Sequence, residues 1–344
     1  MSADVYARFT LPKLLCLSVG TLLAWLGLAA GAGREPGAGL GRWPLAAPSA
    51  ACAAVLLLSS LFSLDPAVSV LGDVRLSAYG LLELGLLAAL HLAAAAARPE
   101  VRIRDVLGAV AASAAALSAY GLAQKAGFEP MPGLALALPE GRITALNGNP
   151  VWLGASLLMG LPAALFFALS PRRSERLLGA SAFALTAVGV LLTFSRAAWA
   201  GAATACAAYA LLRAPARRPW LAPAAAAAAL AAALVWGSLG GQRHGLMRSD
   251  SHRVQFWLAS LRAFARDPVL GSGPDTLEAA LGPVKDAAFL GALGLRSTTS
   301  HAHNDWLQAL ATTGALGLGA YLWLQLALLR AARDALAGPG REEA

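Results

Sequence analysis

The feature that most constrains the fold is a series of uninterrupted apolar stretches of about 20 residues, the length at which a helix crosses the hydrocarbon core of a bilayer. Apolar residues make up 58% of the chain and charged residues only 13%, about half of the charge that a soluble domain carries. We therefore predict an all-α fold, a polytopic transmembrane helical bundle. Its candidate spans, about nine in number, are residues 14–33, 45–64, 76–97, 105–126, 150–170, 176–195, 197–213, 219–238 and 304–329.

Short arginine-rich connections between the apolar stretches set the predicted orientation of the chain. They hold Arg98, Arg102 and Arg104; Arg172, Arg173 and Arg176; Arg213, Arg217 and Arg218; and, after the last span, Arg330 and Arg333. Because these groups fall on alternate turns, the positive-inside rule places them in the cytoplasm and segments 65–75, 127–149 and 239–303 outside. The net charge of +8 thus follows from topology, and we expect no nucleic-acid partner. Arg8 and Lys13 conflict with the outside N-terminus that this arrangement implies, so the orientation of the first span stays open.

The longest outer segment divides the chain into transmembrane helices over 1–238, a loop over 239–303, and a last span with a cytoplasmic tail over 304–344. Within the loop, "SHRVQFWLASLRAFARDP" repeats apolar residues at helical spacing, at Val254, Trp257, Leu258, Leu261, Phe264 and Ala265. We expect a cap at Ser249, Asp250 or Ser251 and an end at Asp267-Pro268. The helix either lies along the membrane interface or packs against the spans, and both alternatives place Arg253 near the outer surface.

Arg196 is the most unusual charged residue, because apolar runs flank it on both sides in "LLTFSRAAWAG". The run is either one overlong span with a central arginine, at a cost of about 3 kcal/mol, or two spans that meet at a tight turn. A lone arginine in an outer turn is commonly only solvated, but the apolar context favours an anion site. A guanidinium suits phosphate because its planar fork donates two parallel hydrogen bonds and keeps its charge. Arg196 and Arg253 together would hold a diphosphate without a metal.

The sequence predicts no metal, no cofactor and no disulfide. The aspartates of the outer loop are scattered rather than clustered as magnesium ligands would be. Cys16, Cys52 and Cys206 lie within apolar runs and lack metal-type spacing.

His301, His303 and Asn304 lie in "SHAHNDW", at the start of the last predicted span. A neutral imidazole accepts a proton at neutral pH, as a general base must. On a continuous helix the two imidazoles would point about 200° apart, so we do not expect them to share one task. The alternatives are a helix cap, a structural hydrogen bond, or metal ligation by His-x-His, for which no third ligand has suitable spacing. The unpaired N–H groups of the helix start would also favour an anion.

Three segments, "TFSRAAWAG", "SDSHRVQFWLASLRAFARDPVLGSGPDTL" and "HAHNDWLQALATTGALGLGAYL", resemble the O-antigen ligase and O-antigen polymerase family of membrane glycosyltransferases. The shared marks are an arginine after serine at a span end, "R…W" followed by "DPxxGxGP", and "HN" opening a span that carries "GxxGL". Upstream, "FSLDPAVSVLGDVRLSAYG" and "GRITALNGNPVWLG" also resemble family segments. The likeness covers about residues 60–325.

The resemblance implies transfer of a glycan from a polyprenyl-diphosphate-linked donor to a hydroxyl of lipid A-core, of another glycan or of a protein. It places this reaction on the periplasmic face of the bacterial inner membrane, where membrane lipid surrounds the enzyme, and implies inverting catalysis without metal or cofactor. His303 is then the general base, and Arg196 and Arg253 bind the diphosphate leaving group. The further positions implied to line the site are His301, Asn304, Arg75, Arg142 and Asn149.

Family members commonly continue with further spans after the one that opens at "HN", whereas this chain is expected to have that span as its last. The resemblance therefore implies a short variant, or one that a partner completes, and a non-catalytic role stays open. A transporter or flippase for a lipid-linked or anionic substrate is the alternative from another class. It would place ionisable groups or broken helices near the bilayer midplane, whereas the candidate groups are predicted to gather at one surface.

Overall fold

The computed structural model describes residues 16–26, 45–72, 80–96, 103–131, 141–213 and 246–337. All regular structure in these ranges is helical, which confirms the all-α prediction. In chain order the α-helices are α1 (Cys16–Leu26), α2 (Ala46–Leu61), α3 (Pro66–Leu71), α4 (Leu81–Ala96), α5 (Ile103–Lys125), α6 (Pro150–Ala168), α7 (Arg173–Leu192), α8 (Arg196–Arg213), α9 (Leu246–Arg266), α10 (Leu277–Leu281), α11 (Ala287–Leu293) and α12 (Asp305–Ala337). Short 3-10 helices cover Ala145–Asn147 and Gly282–Val284.

Within the described ranges, four helices are long and apolar enough to cross a membrane, namely α5, α6, α7 and α12. Helices α1, α2 and α4 are shorter and apolar. Their number and composition are those of a membrane protein. The count of nine spans, the three-part division and the location of segment 239–303 outside stay predictions. The span predicted at 219–238 and the candidate Arg75 lie outside the described residues.

Local sequence explains where several helices begin and end. Asn149 caps α6 and Pro150 occupies its first turn, where a missing N–H removes no helical hydrogen bond. Helix α9 ends at Arg266, directly before Asp267-Pro268, as predicted. The predicted cap at 249–251 is wrong, because α9 already begins at Leu246 and these residues lie inside the helix.

The chain forms two compact units, one of residues 1–98 with 248–344 and the other of residues 99–247. In the second unit α6 packs against α5, α7 and α8. Small residues allow this close packing: a methyl group on Gly160 would overlap Ala114 of α5, and one on Gly189 of α7 would overlap Ser118 of α5. Because lipid supplies no hydrophobic drive for helix association, close van der Waals packing of this kind is what holds spans together.

In the first unit α12 is broken at Gly314, whose backbone has φ 68° and ψ −168°. The part after the break, residues 315–337, is by itself long enough to cross a bilayer at a rise of about 1.5 Å per residue. The loop that follows α9 takes up the hydrogen bonds that the break leaves open. Ser272 and Gly273 donate N–H to the carbonyls of Ala311 and Thr312 (3.1 and 2.8 Å), and Ala315 and Leu316 donate N–H to the carbonyls of Pro268 and Val269 (2.9 and 3.3 Å).

We call this contact the Gly314 junction: residues 268–273 of the loop packed against residues 311–316 of α12. Glycines with positive φ make it possible, since a side chain on Gly271 would overlap the backbone of Thr312 and one on Gly314 would overlap the carbonyl of Val269. Ser59 of α2 adds a hydrogen bond from its Oγ to the carbonyl of Thr312, at 3.0 Å. The patterns "DPxxGxGP" and "GxxGL" are thus the two sides of one backbone contact.

The segment between α9 and α12 folds over a small apolar core. Its buried residues are Phe256, Ala259, Leu277, Leu281, Phe289, Ala302 and Ala311. Helix α9 packs into this core through Phe256 and Ala259, while Val254, Leu258 and Leu261 of the predicted apolar face are 46%, 42% and 43% exposed. Helix α9 is therefore apolar on two faces: one packs against protein, and the other stays available for a membrane surface.

Candidate active site

Residues 300–304 lead into α12 through a turn rather than a helix. Helix α12 begins at Asp305, and Oδ1 of Asn304 accepts hydrogen bonds from two N–H groups of its first turn, at 3.1 and 3.2 Å. Asn304 therefore caps the helix, one of the alternatives weighed for this segment. His303 has a left-handed backbone, with φ 53°. The separation of about 200° expected on a helix thus does not describe His301 and His303.

His303 and Arg253, two of the three predicted catalytic residues, lie together in the first unit. Desolvation by the surrounding protein, and then the positive charge of Arg253, lower the pKa of His303. The ring of Phe256, one helical turn after Arg253, packs edge-on to the imidazole, with ring centres 6.4 Å apart and planes at 63°. Phe289 packs in turn against Phe256, at 5.6 Å between ring centres. A lowered pKa favours the neutral imidazole, the form that accepts a proton.

His301 lies in the same turn and interacts electrostatically with His303. Burial, and then the charge of His303, lower the pKa of His301, while the carboxylate of Asp305 raises it. Thr299 fixes the backbone of His301, because its Oγ1 accepts the His301 N–H at 3.2 Å and donates to the His301 carbonyl at 2.8 Å. The structure thus brings the two histidines together; that they perform different tasks stays a prediction.

Arg196 begins α8 directly after the turn at 193–195. Of the two alternatives for this apolar run, the structure shows two helices that meet at a tight turn. Ser195 caps α8 by accepting an N–H of its first turn at 3.3 Å. Trp199 of α8 donates its Nε1–H to the carbonyl of Val190 in α7, at 3.1 Å, and so fixes the two helices to each other. Arg196 is exposed at the start of α8.

Arg142 reaches the same turn from another loop of the second unit. Its Nε donates to the carbonyl of Thr193, at 2.9 Å, three residues before Arg196. The loop of Arg142 is fixed to α5, because Oε1 of Gln124 accepts the backbone N–H groups of residues 144 and 145, at 3.2 and 2.8 Å. Two guanidinium-bearing residues are therefore anchored at one turn, an arrangement suited to an anion.

Asn149, like Asn304, is a helix cap: its Oδ1 accepts the N–H of Val151, at 2.8 Å. The Oδ1 atom of each of these two predicted substrate-binding asparagines is thus used to cap a helix. Taken by unit, the structure places Arg253, His301, His303 and Asn304 in the first unit and Arg142, Asn149 and Arg196 in the second.

Strained backbone occurs in four of the segments that carry the family resemblance. The non-glycine residues with positive φ in the described ranges are Ala145, Phe194, Asp275 and His303. Such conformations cost about 1–3 kcal/mol each and persist where surrounding contacts impose them, often at functional sites. Residue type gives a partial signal, since Asp and His tolerate positive φ better than Phe or Ala. No sequence pattern marks Phe194 or Ala145.

These observations define a class, an all-α membrane protein whose candidate base and cations lie at helix ends or in the segments between spans. A family model described as O-antigen ligase matches residues 181–322. The match places this segment in the O-antigen ligase family, which confirms the resemblance, and the segment contains Arg196, Arg253, His301, His303 and Asn304. The family that this segment matches is one of membrane glycan transferases of the ligase or polymerase type.

No curated protein and no solved structure matches the chain. Arg75, Arg142 and Asn149 precede the segment matched by the family model, so their relation to the family stays a prediction. Within the described residues, no group of three or more His, Cys, Asp or Glu side chains is arranged to hold a metal ion.

Proposed function

We propose that the protein is an inverting, metal-independent glycosyltransferase that moves a glycan from a polyprenyl-diphosphate donor to an acceptor hydroxyl. The reaction takes place on the periplasmic face of the bacterial inner membrane, and the acceptor is lipid A-core, another glycan or a protein side chain. The apposition of Arg253 and His303 within the family segment supports this assignment most directly, because it joins a cation to a candidate base whose pKa is lowered.

In the proposed reaction the neutral imidazole of His303 accepts the proton of the acceptor hydroxyl as its oxygen attacks the anomeric carbon. Attack comes from the face opposite the leaving group, so the configuration at that carbon inverts. The bond between the anomeric carbon and the diphosphate oxygen breaks, and both bonding electrons leave with the polyprenyl diphosphate. Arg253 and Arg196 neutralise the charge that grows on this leaving group. The proton then passes from His303 to solvent.

Arg142 and Arg196 supply the anion-binding part of the proposal from the second unit. The hydrogen bond from Nε of Arg142 to the carbonyl of Thr193 orients the guanidinium of Arg142 at this turn, beside the start of α8 where Arg196 lies, before an anion arrives. Pre-orientation of this kind lowers the ordering cost of binding. We propose that His301, Asn304, Asn149 and Arg75 contribute to substrate binding.

A transporter or flippase remains the alternative, since the break of α12 at Gly314 is a feature that transporter spans share. The open backbone groups of transporter breaks coordinate substrate or ions. Here the groups next to Gly314 are paired with the loop at 268–273, and Ala311, Thr312 and Thr313 are buried. This pairing favours a structural junction over a transport site, and it supports the enzyme.

The test is complementation of a host that lacks its own O-antigen ligase or polymerase, with glycan analysed on gels. We expect His303→Ala to lower transfer by about 1,000-fold, within the range of general-base removal. Arg253→Ala and Arg196→Ala should also lower transfer strongly. His252→Ala and Arg266→Ala are matched controls on α9 and should transfer like wild type. Full transfer by the His303, Arg253 and Arg196 variants at equal protein level contradicts the mechanism. Accumulation of donor lipid on the cytoplasmic leaflet in cells without the protein would support the flippase instead.

A further inference from the structure

The amide side chain of Gln308, in the first turn of α12, bridges the turn that carries the two histidines. Its Oε1 accepts the N–H of Ala302 at 2.8 Å, and its Nε2 donates to the carbonyl of Ser300 at 3.3 Å. Gln308 is also joined to the cap, because its own N–H donates to the carbonyl of Asn304 at 2.8 Å. One side chain thus fixes backbone groups on both sides of His301.

The residue that follows this clamp is His303, which is held with φ 53°. Ala302, which donates its N–H to Gln308, is fully buried and packs in the core that also contains Phe256. The clamp therefore sets the direction in which the chain leaves Ala302, and with it the position of the imidazole. Without the clamp, the strained backbone of His303 would relax toward the common regions of φ and ψ.

We propose that Gln308 is a positioning residue for His303: its amide holds residues 300–302 so that the imidazole lies against Phe256 and beside Arg253. Gln308 itself touches neither substrate nor the reacting atoms in this role. Its effect on catalysis rests on the proposed function of His303, whereas its effect on the imidazole is structural and holds for any function of the protein.

The substitution Gln308→Met separates the clamp from the shape of the side chain, because methionine has a similar length and is accepted in helices but makes neither hydrogen bond. Displacement of the imidazole by about 1 Å lowers a transfer rate by up to about 100-fold, with little change in substrate binding. We therefore expect kcat to fall by up to about that factor, and the KM for the donor to stay within about twofold. Gln308→Glu keeps an oxygen acceptor for the N–H of Ala302 and should retain more activity than Gln308→Met.

The direct measurement is the titration of His303 by NMR in the full-length protein in detergent, with labelled histidine and the signal assigned by its loss in His303→Gln. Among the described residues, Arg253 of α9 acts on His303, and His303 and Asp305 of α12 act on His301. Because desolvation and Arg253 lower the pKa of His303 in the native arrangement, displacement should raise it. The acid limb of the kcat/KM profile should move to higher pH with it. Gln325→Met, the same change farther along α12, is the control and should leave both unchanged.

The outcomes separate this inference from the proposed function. A raised His303 pKa and a lower kcat in Gln308→Met, both absent in Gln325→Met, support the positioning role. An unchanged His303 pKa in folded Gln308→Met overturns it, even if activity falls. If His303→Ala transfers like wild type while Gln308→Met still moves the His303 titration, the positioning role stands and the proposed catalytic role of His303 fails.

Discussion

Arg253 and Arg196 are assigned the same leaving group, yet their surroundings differ. Arg253 lies on the long helix α9, one turn before Phe256, and its charge lowers the pKa of a histidine. Arg196 begins α8 after a tight turn to which Arg142 is also anchored. The first arrangement couples a cation to a base, and the second brings two arginines to one turn. Loss of Arg253 should therefore disturb the chemistry in a way that loss of Arg196 does not.

The largest effect that tests this comparison is on the pH dependence of transfer by Arg253→Ala and Arg196→Ala. We expect both variants to lose about 100-fold in kcat/KM, the usual cost of one group that stabilises developing charge. Only Arg253→Ala should also move the acid limb of the profile to higher pH. The reason is that His303 must be neutral to act, and removal of a neighbouring cation raises its pKa.

The measurement is kcat/KM for purified protein over a range of pH, with Arg253→Lys as a variant that keeps the charge. Arg253→Lys should hold the acid limb in place while losing the two parallel hydrogen bonds to phosphate. Equal shifts in Arg253→Ala and Arg196→Ala, or no shift in either, would remove the distinction between the two arginines.

The next test concerns the contribution of the Gly314 junction, in the unit that holds Arg253, to the stability of the protein. A methyl group on Gly314 would overlap the carbonyl of Val269, and the φ of 68° is unfavourable for alanine. We expect Gly314→Ala to lower the free energy of unfolding by at least about 1–3 kcal/mol. Gly319→Ala, on the same helix and with no atom within 4 Å of its added methyl group, is the control and should unfold like wild type. Equal unfolding midpoints for the two variants in detergent would show that the junction contributes nothing to the stability of the protein.

The sequence predicted those features that depend on composition and spacing. The helices α5 to α8 follow from runs of apolar residues, and the separation of α7 from α8 follows from Arg196, which is costly inside one span. The resemblance likewise pointed to Arg253 and His303, which lie together. These features are local, or depend on motifs that the matched segment shares with the O-antigen ligase family.

Other features depend on contacts between distant parts of the chain. The face of α9 that packs against protein was not predicted, because the helix is apolar on two sides and small residues such as Ala259 are the ones that fit against a neighbour. The break at Gly314 was missed because glycine is common in spans and only the loop at 268–273 makes a break favourable there. The role of Gln308 could not be predicted from the sequence, since an amide side chain near a helix start is common and its two hydrogen-bond partners are known only from the structure.

The next-smaller expected effect is that of Phe256, an uncharged residue that contacts the imidazole of His303. Phe256→Leu keeps an apolar side chain but removes the ring that lies edge-on to the imidazole. Less desolvation should raise the pKa of His303, and a less restrained imidazole should lower kcat by about 10-fold. Phe166→Leu, a change of the same kind in α6 of the second unit, should leave the pH profile unchanged. If Phe256→Leu behaves like Phe166→Leu, the pKa of His303 is set without the aromatic contact.

The smallest effect concerns the two asparagines that cap helices, one in each unit. Asn304→Asp and Asn149→Asp keep an oxygen acceptor for the first turn, so we expect unfolding midpoints close to wild type, whereas alanine at either position should cost about 1 kcal/mol. Aspartate removes the Nδ2 donor and adds a negative charge. If these amides contact the donor diphosphate, aspartate raises the donor KM by about fivefold or more, the value of one hydrogen bond. A raised KM in one variant alone would tell which unit's cap also contacts the substrate. An unchanged KM in both, at unchanged stability, would limit Asn304 and Asn149 to capping and leave substrate recognition to the arginines.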